Sequence, residues 1–296
     1  MLSIVKLFTG TSGWGYSSWR GIFYPEKLEQ RQWLSYYSHV FDYVEIDSTF
    51  YQIPSKNMVK LWNARTSSKF RFSAKFPRVI THEKRFQSCQ KELELFYEAM
   101  EPLKDKLLTL LIQFPPSFKI KEGMEALRKY DFFFDDSFRY AIEVRHSSWF
   151  SDLAYNFFKN NLICLVWNQL DIVQTPPVVT TDFVYLRFIG DRSISERHFG
   201  TILKDRALEM SGWAERLKNI QQDDHDVRTA MVAANNHYAG FGPETSNIFR
   251  EMLGLHRVEW GSQIEIPEME MLDLENMRSY EERKNTTKQT SLTDFI

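Results

Sequence analysis

Short apolar runs rich in β-branched and aromatic residues alternate with amphipathic stretches along most of the chain, the pattern of a parallel sheet joined by crossover helices. Eight runs read as strands, at residues 7–13, 43–50, 70–76, 107–114, 140–146, 162–168, 183–190 and 229–236. Between them the spacing predicts helices over Leu28–Val40, Lys56–Thr66, Cys89–Met100, Glu122–Tyr130, Ser151–Asn160, Glu209–Gln222 and Glu244–Leu255. Eight parallel strands favour closure over an open sheet, so the expected fold class is α/β, a single (β/α)8 TIM-type barrel. The sixth crossover departs from this rhythm. Residues 169–182 carry Pro176, Pro177 and a β-branched VVTT run, which oppose a helix and predict an irregular connection.

Past Leu255 the periodicity decays. Residues 273–291 are polar and charged, with too few apolar groups to offset the entropy of ordering. The expected organisation is therefore a barrel over residues 1–272 and a flexible C-terminal tail over 273–296.

Successive strand side chains point to opposite faces, so polar residues two apart in an apolar strand share a side. Glu45 and Asp47 alternate with Val44 and Ile46, Ser73 and Lys75 with Phe72 and Ala74, Glu143 and Arg145 with Ile142 and Val144, and Tyr185 and Arg187 with Val184 and Leu186. The apolar sets are expected to meet the helices and the polar sets to point into the barrel. The polar sets lie late in their strands, toward the C-terminal face where barrel enzymes place their chemistry. Gln113, Asn168, Asn235 and Asn236 also fall at strand ends. One account of these charges is an internal ion-pair network in which Glu45 and Glu143 neutralise Lys75, Arg145 and Arg187. The number of convergent charges favours the other account, a site, because their desolvation exceeds what core stability requires.

Composition narrows the partners. The 296-residue chain is 43% hydrophobic and 26% charged, as a globular protein is, and 37 basic against 39 acidic side chains leave a net charge of -2. That balance gives no bulk attraction to nucleic acid or anionic membrane, so a nucleic-acid role needs a local patch or a recruiting partner. No apolar run approaches the roughly 20 residues of a membrane span. The N-terminus has no secretory pattern, so a cytoplasmic protein with Cys89 and Cys164 reduced and buried is expected. Aromatic residues make up 15% of the chain, which fits either a densely packed core or a ring-lined pocket.

Lys75, Arg145 and Arg187, with Arg20 as a further candidate and Asn235 and Asn236 beside them, suggest an anionic ligand such as a phosphate or carboxylate. Gly240 and Gly242, between the eighth strand and a helix starting near Glu244, occupy the place where barrels often cradle phosphate with backbone N–H groups. Glu45 and Glu143 are candidates for acid and base work, with His82 and His146 as proton carriers. A metal set would have to gather His82, Glu143, His146, Asp47 and His237, whose spacings match no ligand signature, so no metal is predicted. No sequence motif names a cofactor.

Several stretches taken together resemble the Domain of Unknown Function 72 (YecE-like) family. They are GTSGWGYSSWRGIFYP, YVEIDSTFYQIPS, FRFSAKFPRVITH, LLIQFPP, YAIEVRHSSW, YLRFIG and NNHYAGFGP, which occur in this order from residue 9 to about 255. The resemblance implies a barrel related in shape to the xylose isomerase and endonuclease IV group, with a pocket at the strand ends. The positions that match the family's motifs are Trp14, Tyr16, Trp19, Glu45, Lys75, His82, Gln113, Glu143, Arg145, His146, Trp149, Tyr185, Arg187, Asn235, Asn236 and Tyr238. Asp47 stands where many members of the family carry Asn, so no acid role is rested on it.

The chain ends in QTSLTDFI, which resembles the PIP box, the peptide that binds the sliding clamp PCNA. Gln289, Leu292, Phe295 and Ile296 fill its anchor positions, with Ile296 in place of a second aromatic residue. A single helical turn would project Leu292, Phe295 and Ile296 to one side as anchors for a hydrophobic groove, with Gln289 hydrogen-bonding beside them. A tail docked on its own barrel is the plainer alternative.

The leading functional expectation is an enzyme, a phosphoester hydrolase or an isomerase or lyase, that acts on a phosphate-containing or nucleic-acid substrate and is recruited by the clamp in DNA repair or replication. The alternatives are a non-catalytic clamp-binding regulator and a small-molecule sugar or sugar-phosphate isomerase or lyase with an incidental tail. A small-molecule enzyme is expected to show a closed aromatic pocket near Trp14, Tyr16, Trp19 and Trp149.

Overall fold

The computed structural model describes residues 5–128, 134–170, 173–190, 192–223, 226–261 and 264. The boundary at residue 272, the tail and the clamp-binding peptide expected from the sequence all fall outside the described residues.

Nine strand segments, all parallel, form one sheet in the order β6-β5-β4-β3-β2-β1-β9-β8-β7. They are β1 Lys6–Ser12, β2 Tyr43–Ile46, β3 Arg71–Lys75, β4 Leu107–Gln113, β5 Tyr140–Glu143, β6 Ile163–Leu165, β7 Trp167–Gln169, β8 Phe183–Phe188 and β9 Thr229–Ala234. β6 and β7 stand at opposite ends of that order yet are separated in the chain only by Val166, whose N–H donates to the Ile142 carbonyl at 3.0 Å. One extended run therefore pairs with β5 through its first half and with β8 through its second, and the sheet returns on itself. The eight strand positions expected from the pattern are all present, the sixth broken in the middle.

The α-helices are α1 Trp33–Val40, α2 Lys56–Ala64, α3 Gln90–Met100, α4 Ile120–Arg128, α5 Asp152–Asn160, α6 Ala207–Asp223, α7 Asn236–Ala239 and α8 Gly242–Met252. Seven match the predicted helices to within a few residues, and α7 was not predicted. The sixth crossover has no helix among its described residues, as Pro176 and Pro177 foretold. It runs back along the sixth strand instead. Thr180 Oγ1 donates to the Ile163 carbonyl at 2.7 Å and accepts from Leu165 N–H at 2.8 Å, and Trp167 Nε1 donates to the Val178 carbonyl at 3.0 Å.

Alternation sorts the strand side chains as the polarity pattern predicts. Inside the barrel, Phe8, Tyr43, Leu111, Ala141, Cys164, Val166, Tyr185 and Met231 pack together. Outside it, Val184, Leu186 and Phe188 of β8 and Ala230 and Val232 of β9 meet Met210, Trp213 and Leu217 of α6 and Phe249 of α8. Cys89 and Cys164 are both buried and neither forms a disulfide, matching expectation. At Gly10 a Cβ would lie 1.9 Å from the Tyr43 carbonyl oxygen, so only glycine lets β1 approach β2 so closely. No helix among the described residues is long and apolar enough to cross a membrane.

Several predicted strands stop early at the barrel mouth. The second ends at Ile46, where Ser48–Phe50 forms a 3-10 turn fixed by Thr49 Oγ1 donating to the Lys75 carbonyl at 2.7 Å. The fifth ends at Glu143 and leads into the Ser147–Trp149 turn. The last ends at Ala234, because Asn235 caps α7 by accepting the His237 N–H at 2.9 Å. These short polar turns close the helical and strand hydrogen-bonding patterns just where side chains must face a cavity.

Candidate functional site at the carboxyl end of the barrel

The uppermost inward-facing residues meet in a charged layer. Arg187, at 1% exposure, is the hub. Its Nε and Nη2 donate to the two carboxylate oxygens of Glu45 at 2.7 and 2.6 Å, and its Nη1 donates to Glu143. Glu143 also accepts from Arg145 Nε at 2.6 Å, and Arg145 Nη2 donates to Gln113 Oε1 at 2.9 Å. Lys75 donates to Asp47 at 2.9 Å and stands 4.4 Å above the Phe50 ring. Three carboxylates thus face three cations, and each buried charge has a partner, as desolvation requires.

Below this layer lies a cluster of hydroxyls. Tyr185 donates to Glu45, Tyr43 donates to Tyr185 at 2.9 Å, and Ser73 lies 2.6 Å from the Tyr43 hydroxyl and 2.9 Å from that of Tyr185. The cluster seats Glu45 from beneath while Arg187 clamps it from above.

The electrostatics follow from this packing. Burial opposes ionisation of Glu143, but Arg187, Arg145 and Lys75 outweigh it and hold the carboxyl down at about 2. For Asp47 burial is likewise overcome, by Lys75 and Arg187, and its carboxyl lies below its ordinary value. Burial raises the Tyr16 phenol, and the negative charges of Asp47 and Glu45 raise it further, so it stays protonated. His82 is lowered to about 4 by burial and by Lys75, Arg145 and Arg78, which makes it a neutral imidazole at pH 7.

Above the charged layer opens a cavity of about 550 Å³. Of the residues singled out from sequence, Tyr16, Lys75, Gln113, Arg145, Arg187 and Asn235 line it. Glu45 and Glu143 do not. Both are fully buried and pair with the arginines, as the ion-pair account describes, while Arg145 and Arg187 also reach the cavity wall. His82 stands behind Phe50, with ring centroids 5.0 Å apart, and reaches Gln113 at 3.5 Å. His146 turns to Ser148, 2.9 Å away, and caps the following turn.

The expected aromatic pocket reduces to Tyr16. Trp19 is fully buried and donates to Asn236 Oδ1 at 3.3 Å; Trp149 lies against Phe114 and Phe158 and donates to the Phe118 carbonyl at 2.8 Å. Trp14 packs edge-on against Trp62, and Tyr238 sits in the outer core, donating to Glu209 at 3.0 Å. The glycine turn is no free cradle either: Gly240 N–H donates to the Asn236 carbonyl at 2.7 Å and Gly242 N–H to Asn236 Oδ1 at 2.8 Å. Arg20 does not line the cavity but faces the Trp33 ring at 5.8 Å. Among the described residues no group of three His, Cys, Asp or Glu side chains is placed to hold a metal ion.

The cavity also takes residues to which sequence reasoning assigned no role. Asp47 lines it, and its alternation with Glu45 was the signal for that. Arg192, Glu196, Phe199 and His237 come from the loop after β8 and the turn after β9, where no periodicity marks them. Gly190, at φ 74, brings these two segments together: a Cβ there would lie 2.2 Å from the His237 carbonyl oxygen.

Comparison with known proteins agrees with this architecture. The chain is 26% identical to UPF0759 protein YunF of Bacillus subtilis over 275 residues, covering 84% of this chain and 95% of that protein. It is 29% identical to UPF0759 protein YecE of Escherichia coli over 147 residues, 49% of this chain and 50% of that one. The crystal structure of a DUF72 family protein (TM1631) from Thermotoga maritima superposes with a TM-score of 0.67 at 28% identity, covering 84% of this chain and 99% of that chain. A DUF72 family protein (EF0366) from Enterococcus faecalis shares the fold, with a TM-score of 0.69 at 24% identity over 88% and 99% of the two chains. The model of the family "Protein of unknown function DUF72" matches residues 8–270, and the chain belongs to that family.

Proposed function

We propose that the barrel mouth binds a small anionic molecule bearing a phosphate or carboxylate, and that the protein is an enzyme acting on it by acid–base chemistry. The observation that carries this is the orientation of the charges: Lys75, Arg145 and Arg187 line the cavity, whereas Glu45 and Glu143 lie behind it, fully buried. Fixed guanidinium groups backed by carboxylates present their remaining donors to a ligand with little reorganisation. The volume, about 550 Å³, falls in the range of small-molecule sites. Asp47 and Lys75, joined by a 2.9 Å hydrogen bond, are the acid–base pair in reach of that ligand. Calorimetric titration with inorganic phosphate tests this. Arg145→Ala, which removes a charged donor, should weaken binding roughly tenfold or more; unchanged affinity would refute the assignment.

A second reading rests on the terminal QTSLTDFI, whose Gln289, Leu292, Phe295 and Ile296 have the spacing of a PCNA-binding peptide. On it, a tail over 273–296 carries the barrel of residues 1–272 to the sliding clamp, and the substrate is a nucleotide or nucleic-acid phosphate met during repair or replication. Titration of the full chain and of a chain lacking residues 289–296 against PCNA separates the two readings: micromolar binding lost on truncation supports recruitment, and its absence refutes it. Two buried cysteines outside any disulfide suit a reducing, cytoplasmic setting.

A further inference from the structure

We infer that Lys75 is a carbonyl-capturing amine, and that the ligand of this cavity is an anionic aldehyde or ketone, such as a 2-oxo acid or a phosphorylated sugar, held as a protonated imine on its Nζ. The inference rests on the anion-binding reading above and adds a reaction class to it.

Four observations converge. Lys75 is the one primary amine among the described residues that line the cavity, and it sits at the C-terminal end of β3, pointing inward. Its side chain is 7% exposed and its Nζ stands 4.4 Å from the centre of the Phe50 ring, so the amine is held in place and partly stripped of water. Arg145 and Arg187 line the same space and offer donors to the anionic end of a ligand. Lastly, Lys75 shares a 2.9 Å hydrogen bond with Asp47, which gives the departing proton a place to go. Tyr16, on the cavity wall with its hydroxyl tied to the Ser12 carbonyl at 2.7 Å, adds a phenol that stays protonated beside Asp47.

The step balances without any oxidant or reductant. Lys75 passes one proton to Asp47 and its nitrogen attacks the carbonyl carbon. The C–N bond forms as the carbonyl π pair moves to oxygen, which takes a second proton from nitrogen through Asp47 or Tyr16. The hydroxyl then leaves as water with the proton that Asp47 had stored, and the nitrogen lone pair closes the C=N bond. One ammonium and one carbonyl become one protonated imine and one water, and Asp47 returns to its carboxylate form. Electron withdrawal by the iminium activates the neighbouring carbon for proton abstraction or C–C cleavage, the chemistry of an isomerase or lyase.

The test uses the full chain, pyruvate as probe and sodium cyanoborohydride, whose hydride reduces an imine to a stable secondary amine that peptide mapping by mass spectrometry locates. Lys75 should be labelled with saturation in pyruvate, at least roughly tenfold faster than the exposed lysines. Asp47→Asn should slow labelling roughly tenfold, and Lys75→Arg should abolish the adduct in that peptide while keeping the melting temperature close to that of the wild type. Lactate, which has the carboxylate but no carbonyl, is the control for anion binding by calorimetry. Lactate binding with no preferential labelling of Lys75 would overturn the imine and leave the anion site standing. Absence of both would remove the anion site and this inference with it.

Discussion

Replacing Arg187 with Met removes the cation that both Glu45 and Glu143 lean on, while keeping an apolar stem of similar length. Three short hydrogen bonds vanish, to two carboxylates with no exposure to solvent. Glu143 retains Arg145 and Glu45 retains Tyr185. In the intact protein the Glu143 carboxyl lies at about 2 instead of 4.5, which corresponds to roughly 3 kcal/mol favouring its charged form. Arg187 is the first of the three cations behind that shift, and removing one partner of a buried pair costs about 3–5 kcal/mol in general. Arg187→Met is expected to lose about that much stability at pH 7, and its melting temperature should fall by on the order of 10 °C. The pH dependence carries the physics. Glu143 is lowered in the folded state, so its contribution is complete above about pH 4.5 and is lost as the pH falls toward about 2. The variant lacks the Arg187 share of that contribution, and its Glu143, left with Arg145, gains by protonation. The deficit relative to wild type should therefore shrink between pH 7 and pH 4. Urea denaturation at both values measures it. A deficit under about 1 kcal/mol, or one equal at the two pH values, would refute the view of Arg187 as the electrostatic hub.

Other consequences are local. Tyr185→Phe takes a donor from Glu45 and a partner from Tyr43, and should cost about 1–3 kcal/mol in denaturant titrations while leaving phosphate affinity unchanged. Asn236→Ala frees the Gly242 amide and Trp19 Nε1, and should also destabilise by about 1–3 kcal/mol without altering ligand binding; loss of phosphate affinity would reinstate the glycine turn as a ligand cradle. Gly10→Ala drives a Cβ into the Tyr43 carbonyl and should give insoluble or strongly destabilised protein in expression and melting trials. The His82 ring, lowered to about 4, should show flat proton shifts by NMR from pH 8 to pH 5.5 and begin to titrate only below.

The parity of the strands was legible and their depth was not. Glu45, Lys75, Glu143 and Arg187 stand on inward positions because side-chain alternation is a property of the backbone, visible wherever apolar and polar residues take turns. Which of these touch the cavity depends on how far along its strand each lies relative to its neighbours. That is set by pairing register, such as Gln113 opposite Glu143, which joins segments distant in sequence. The tryptophans misled for a related reason. Trp19 and Trp149 sit in turns at the strand ends, where a ring closes the gap between loop and helix as readily as it lines a pocket, and their Nε1 groups find internal acceptors. Gly240 and Gly242 carry the composition of an anion cradle, but Asn236 spends its carbonyl and side chain on their amides. The contributions of Arg192, Glu196 and His237 come from aperiodic loops, whose placement rests on close approaches such as that at Gly190.

A crystal structure of the protein grown or soaked in phosphate addresses the central claim most directly. Tetrahedral density is expected in the barrel mouth within hydrogen-bonding distance of Lys75 and Arg145, with Glu45 and Glu143 unmoved behind Arg187. Density only at the protein surface or at the Gly240–Gly242 turn, with the mouth holding water alone at saturating phosphate, would contradict it.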